Sequence, residues 1–333
     1  MKKLTFVLPL KDRPYYTRIW LGHNIRQEYD YLVADGSIGN ENEELFREVQ
    51  LANVTYVRFP QDLSIEHYVE KMFQAVGRVQ TAYVMTCDND DFINFHGIAN
   101  CVDALEKDPD AVCAGGPIYG VSQVASAASA PRYGMPVRII DAAALSGMSG
   151  FDALVQLFKS YKYMWYSVFR TPSYQKIWSD IRQLQITNVY LMEILHSELT
   201  FCHGRYLQVP ANHYIRLLNP ATSASMEASA NDIAAPYKIF FDEEYRAQAL
   251  RMSDHVAKLA STDPSRLLTE FQNYYIEYFI ARSPHKRLSF GRRSWNRIIQ
   301  MDEIVLRRLG IPVPIELGIR YLNCLSMIGR FFR

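Results

Sequence analysis

The stretch Ala82 to Phe92, AYVMTCDNDDF, carries the densest chemistry in the chain. An apolar run, Tyr83 to Cys87, passes directly into Asp88-Asn89-Asp90-Asp91. A short apolar run ending in carboxylates predicts the C-terminal end of a central parallel strand. Ligands bind at that end of open α/β sheets. With residues 88 to 90 extended, Asp88 and Asp90 share a face, because strand side chains repeat every two residues. Two convergent carboxylates repel each other unless a cation sits between them. A hard divalent ion, Mn2+ or Mg2+, serving a phosphate-bearing substrate would satisfy both. A polar loop capping a helix at His96 or Gly97 is the plainer alternative.

The elements that must position this motif can be followed along the chain. Leu4 to Leu10 reads as a first apolar strand ended by Pro9, with Lys11, Asp12 and Arg13 at its C-terminal side. Tyr15 to Arg26 reads as a helix. No Gly-rich fingerprint joins the two, which disfavours a dinucleotide-binding unit. Tyr29 to Ala34 is a second strand, ending in the tight turn Asp35-Gly36-Ser37. A helix over 40–50 and a third strand, Val54 to Phe59, follow. Ser64 caps a helix whose Ile65, Val69, Met72, Phe73 and Val76 form one stripe. Strand and helix alternate up to Asp91, which predicts an α/β sandwich with a mostly parallel sheet. A helix over 95–107 and a strand, Ala111 to Ala114, continue it. Residues 119–136 read as a long exposed loop. Then come a helix around 151–160, a strand Trp165 to Arg170, helices over 173–183 and 189–199, and strands Gly204 to Pro210 and His213 to Leu218. Glu193 lies off the Leu191, Ile194, Leu195 stripe of its helix.

The chain has 333 residues, 49% of them hydrophobic and 21% charged, which suits a globular body of one large domain or two ordinary ones. Its five cysteines contain no CxxC, which argues against a disulfide framework or a structural zinc site and for a reducing, cytoplasmic compartment. Charges at Lys11, Asp12 and Arg13 interrupt the first apolar run too early for a signal peptide. Residues 219–236, rich in Ala, Ser and Asn, read as a flexible lid or linker. Residues 237–333 read as a helical region, with helices near 242–260, 264–281, 294–309 and 314–331. Residues 282–333 hold 11 Lys or Arg against 3 Asp or Glu.

The series FVLPLKDRP, LVADGS, AYVMTCDNDDF and WYSVFRT resembles GT-A fold glycosyltransferases of the family 2-like branch found in bacterial surface-polysaccharide clusters. The resemblance covers residues 3–218. It implies that residues 1–218 form a GT-A-like nucleotide-binding domain with a mostly parallel central sheet. It places Pro9, Lys11 and Arg13 near the nucleotide, Asp35 on the base or ribose, and Asp88 near the ribose or the metal. Asp90 would ligate the metal, and His213 would give a further metal or diphosphate contact. The family's acidic pair opening a helix before a Gly-led strand is absent. Only Glu193 stands upstream of Gly204, as the candidate base.

The chemistry follows independently. A cation held by Asp88 and Asp90 would neutralise charge developing on a diphosphate leaving group. An inverting transfer needs a carboxylate across the sugar to take the acceptor's proton. Glu193 comes from a second segment and suits that role; Asp141 and Asp152 are the next carboxylates. Plainer readings stand beside each: Asp35 as a turn residue bonding its own backbone, His213 as a satisfied buried histidine, Lys11 and Arg13 as surface charges, Asp12 as their ion-pair partner, Glu193 as a solvent-facing residue.

The expected activity is therefore sugar transfer from a nucleotide sugar to a saccharide or lipid-linked saccharide. Two other classes remain. A nucleotidyltransferase would want glycines that PLKDRP lacks. A non-catalytic member of an assembly complex would not need carboxylates at 88 and 90. The arginine-rich C-terminal helices suit packing on the body, a homodimer interface, or peripheral contact with anionic membrane at the inner face. Nucleic acid is not expected, since no recognised module accompanies the charge.

Overall fold

The computed structural model describes residues 2–124, 132–159, 161–218 and 242–282. Four parallel strands build its first half: β1 (Leu4–Leu10), β2 (Asp30–Asp35), β3 (Val54–Arg58) and β4 (Tyr83–Thr86). β1 is buried along nearly its whole length, as a strand covered on both faces must be. The connecting helices are α1 (Pro14–Asn24), α2 (Glu41–Val49) and α3 (Ile65–Gly77). Ser64 caps α3 by accepting from the His67 amide at 3.4 Å.

Pro9 does not end β1; it pairs in register with Ala34 of β2. Alternation along the strand explains why it is tolerated there. The Val7 carbonyl accepts from Cys87 on the β4 side, and the Leu10 carbonyl accepts from Gly36 on the β2 side. Pro9, in phase with Val7, therefore lacks its amide on the side where β4 has already ended.

The second half departs from a parallel sheet. α4 (Phe95–Lys107) leads to β6 (Ala111–Gly115). β6 does not join β4. β11 (Val168–Arg170) inserts between them, antiparallel to both. β12 (Arg205–Gln208) then flanks β6 in parallel, giving the order β12-β6-β11-β4-β1-β2-β3. A smaller mixed sheet lies beside it, ordered β10-β7-β13-β5, from β5 (Phe92–Ile93), β7 (Ile118–Val121), β10 (Val137–Ile140) and β13 (Tyr214–Leu217). The expected exposed loop at 119–136 is thus partly strand: β7, and the hairpin of β8 (Gln123–Val124) with β9 (Arg132–Tyr133).

α5 (Gly150–Lys159), α6 (Thr171–Leu184) and α7 (Val189–His203) pack behind the central sheet. α7 is nearly buried all round. Two further helices, α8 (Glu243–Leu259) and α9 (Pro264–Arg282), pack on α7 and α5 and bring Tyr245, Met252, Val256, Leu267 and Phe271 into the same hydrophobic core. Among the described residues no helix is long and apolar enough to cross a membrane. The proposed lid at 219–236 and the helices near 294–309 and 314–331 lie outside the described residues.

Candidate active site

β4 stops at Thr86, and the acidic motif that follows is a turn rather than an extended segment: the Asp91 amide donates to the Asp88 carbonyl at 3.4 Å. The turn gathers more carboxylates than alternation would. Asp88, Asp90 and Asp91 each place an oxygen within 4.8 Å of the others.

Each carboxylate is held by a different element. Asp88 accepts a short hydrogen bond from the Tyr166 hydroxyl, just ahead of β11, while its amide donates to the Tyr214 hydroxyl of β13 at 2.8 Å. Tyr166 and Tyr214 stack at 4.4 Å. Asp90 meets Arg13 Nη2 at 2.5 Å. Asp91 is buried; its Oδ1 accepts from the Leu217 amide at 2.8 Å, which ties β13 to the motif. Its Oδ2 has no hydrogen-bond partner among the described residues, and Arg216 Nε lies 3.7 Å away. Burial, then the neighbouring Asp90, pushes the Asp88 carboxyl up. Burial pushes Asp91 well up, against the pull of Arg216.

An all-oxygen set with one orphaned buried carboxylate oxygen fits a hard divalent cation. Asp88, Asp90 and Asp91 are the residues that would hold it. Asp91 was missed from sequence because alternation put it on the opposite face; the turn removes that objection.

His213 does not join this cluster. It is fully buried, its Nδ1 accepts from the Gly116 amide at 2.8 Å, and its Nε2 donates to the Tyr166 carbonyl at 2.7 Å. Burial pulls its pKa down to about 4. With both ring nitrogens committed to main chain, it offers no lone pair to a metal. The structure places it against the main chain instead, where it fixes the backbone of Tyr166, whose hydroxyl holds Asp88. Two glycines let the 211–213 segment come this close. A Cβ on Gly116 would lie 1.8 Å from the Ala211 carbonyl oxygen, and one on Gly97 2.0 Å from that of Asn212.

Asp35 is likewise spoken for. It is fully buried, and its oxygens accept from the Ser37 amide at 2.8 Å, the Ser37 and Tyr56 hydroxyls, and Arg58 at 3.0 Å. Arg58 also donates to the Ser37 carbonyl at 2.6 Å. Its geometry is that of a carboxylate organising the turn after β2. Asp12 pairs with neither basic neighbour; its Oδ1 accepts from the Ile38 amide at 2.9 Å, zipping the loop after β1 to the loop after β2. Beneath both loops Lys71 is buried. It donates to the Leu10 carbonyl at 2.9 Å and to Asp62, and Lys11 lies close enough to sense both.

Glu193 does not face open solvent. It is half-buried on α7, close enough to feel Asp88 and Arg216. Burial raises its pKa to about 7, with Asp88 adding to the rise and Arg216 opposing it. Arg216 also donates to the Tyr163 hydroxyl at 2.9 Å and lies over the rings of Tyr163 and Tyr166. Sequence reading gave no sign of Arg216, a lone cation in a short strand. Asp152 is exposed on the first turn of α5, and Asp141 is engaged by Arg138 and Gln208.

No family model matches the sequence, and no curated protein does. Solved structures do match. Residues 1–349 of S. aureus TarS align with a TM-score of 0.55 at 12% identity, over 90% of this chain and 78% of that one. The same protein in complex with UDP-GlcNAc gives 0.56 at 12% identity, over 90% and 79%. A longer TarS structure gives 0.53 at 11% identity, over 89% and 47%. At these identities the likeness is one of fold: this chain has a broadly Rossmann-like α/β architecture with mixed sheets and a C-terminal helical region, distantly similar to that of TarS.

Proposed function

We propose that the chain is a metal-dependent, inverting glycosyltransferase of GT-A type. It moves a sugar from a nucleotide-activated donor to a saccharide or lipid-linked saccharide acceptor. The observation that carries this reading is the convergence of Asp88, Asp90 and Asp91 at the C-terminal edge of the central sheet, with a half-buried glutamate of raised pKa close by on α7. The complex of TarS with UDP-GlcNAc, on a similar fold, supports a nucleotide-sugar donor.

In this mechanism Glu193 accepts the proton of the acceptor hydroxyl as its oxygen attacks the anomeric carbon. The bond from that carbon to the diphosphate oxygen breaks, and its electron pair leaves with the diphosphate. A divalent cation, Mn2+ or Mg2+, would supply the counter-charge for that leaving group when bound by the three aspartates. Lys11 and Arg13, with the Pro9 segment, flank the nucleotide. Tyr166 and Tyr214 hold Asp88 in place. Arg216 tempers the field between the aspartates and Glu193.

The test is incubation with a panel of nucleotide sugars and nucleoside triphosphates, with Mn2+ or Mg2+. Release of a nucleoside diphosphate supports the transferase. Release of pyrophosphate would make it a nucleotidyltransferase, and failure to bind any nucleotide would assign it a non-catalytic role.

A further inference from the structure

Arg13 occupies the carboxylate that a metal would need. Its Nη2 lies 2.5 Å from Asp90 Oδ2, and the two side chains are only 20% and 10% exposed. The guanidinium also lies over the Tyr16 ring at 4.8 Å, and its Nε is buried with no hydrogen-bond partner among the described residues. The backbone that delivers it is unusual. Asp12 and Arg13 have φ of 56° and 62°, a left-handed conformation rare for residues other than glycine. That backbone is pinned from the β2 side: the Asp12 amide donates to Ser37 Oγ at 2.7 Å, and Asn42 donates to the Asp12 carbonyl at 2.9 Å. The side chain is then the part free to change partners.

We propose that Arg13 is an exchangeable counter-ion. It holds Asp90 until a divalent cation arrives together with a diphosphate, and it then passes to the diphosphate oxygens. This rests on the transferase reading above. Three carboxylates within 4.8 Å repel one another, and among the described residues Arg13 and Arg216 pair with them. A cation arriving alone must break a charge-assisted hydrogen bond and leave a shielded guanidinium without a partner. A cation arriving with a diphosphate gives that guanidinium a bidentate oxygen partner in exchange. Metal and diphosphate therefore bind with positive coupling beyond their direct attraction, and the coupling is reciprocal.

The experiment is calorimetric titration of the full chain with Mn2+ alone, with UDP alone, and with Mn2+ at saturating UDP; bound Mn2+ is counted by electron paramagnetic resonance. The same titrations follow for Arg13→Met. The intact chain should bind Mn2+ at least ~10-fold more tightly with UDP present. Arg13→Met should bind Mn2+ alone ~10-fold more tightly than the intact chain does, and its enhancement by UDP should be at least ~10-fold smaller. Arg13→Gln removes the charge but keeps a polar end, should behave the same way, and serves if the apolar variant does not fold. Equal Mn2+ affinity in intact and variant chains, or an unchanged enhancement, overturns the exchange and leaves the transferase reading standing. UDP binding that ignores Mn2+ also overturns the exchange. An intact chain that binds neither Mn2+ nor UDP overturns both.

Discussion

Asp90 and Glu193 carry opposite halves of the proposed reaction, so their substitutions should fail differently. Asp90→Asn should keep its melting temperature and lose roughly 100-fold or more in kcat, because the leaving group loses its counter-charge; rates at saturating donor and metal check this. Glu193→Gln should lower kcat by roughly 100-fold while donor binding, read by calorimetry, stays within about 2-fold. The raised pKa of Glu193 fixes the sign of a pH test. Its carboxyl is protonated below about 7 in the folded chain, so kcat/KM should rise with pH through about 7, and that limb should vanish in the Gln variant. The same shift lowers stability as pH rises, since ionising this buried group is disfavoured: the stability held with the carboxyl protonated is full below the ordinary value of 4.5 and is lost as pH climbs through about 7. His213→Leu should weaken Mn2+ binding less than Asp90→Asn does, because it reaches the cluster only through Tyr166 and Asp88. It should destabilise the fold by about 2–4 kcal/mol, because the Gly116 amide and the Tyr166 carbonyl lose their partner. At this scale the sequence put Asp88 and Asp90 on one site, and the structure gathers them with Asp91. Nothing in the sequence showed that His213 and Asp35 are engaged by groups far along the chain, Tyr166 and Arg58 among them.

Among the elements, β13 is the one that closes the site. It supplies Tyr214, Arg216 and the Leu217 amide, and the 211–213 segment that delivers it passes over Gly97 and Gly116 with no room for a methyl group. Gly116→Ala should therefore push this segment away, lower the melting temperature and weaken Mn2+ binding together. Gly22→Ala is the contrasting case. A Cβ there meets nothing within 4 Å, and the site is inside α1, so the change should be neutral or stabilise by up to about 1 kcal/mol in thermal melts. The alternation from β1 through α4 was legible because each strand and helix shows its own local period; α4 begins and ends where its stripe does. Of the small sheet, only β13 was legible, as the strand read over His213 to Leu218. β5, β7, β10 and β13 are two to four residues long, and β13 meets β5 and β7 only across a long stretch of chain. Trp165 to Arg170 read as a strand, but nothing local said that it would run antiparallel between β4 and β6.

For the whole molecule, α8 and α9 extend the central core rather than forming a separate body, for Tyr245, Ala249, Met252, Val256, Leu267 and Phe271 are buried in it. A chain ending at residue 241 should bare the outer face of α7 and lose cooperative unfolding, as calorimetry would show. The place of β11 has a further consequence, for the order in which the chain can fold as it is made. β1 to β4 pair with one another within the first 86 residues, leaving one edge of β4 open. β6 emerges with no neighbour on either side. One edge waits for residues 168–170 and the other for residues 205–208. At about 5–20 residues per second, the open edge of β4 stays bare for roughly 4–16 seconds of synthesis, and the two edges of β6 for roughly 3–11 and 4–18 seconds. Nascent chains halted in that interval should be bound by chaperones that grip apolar strands, and chains released after β12 has emerged should not.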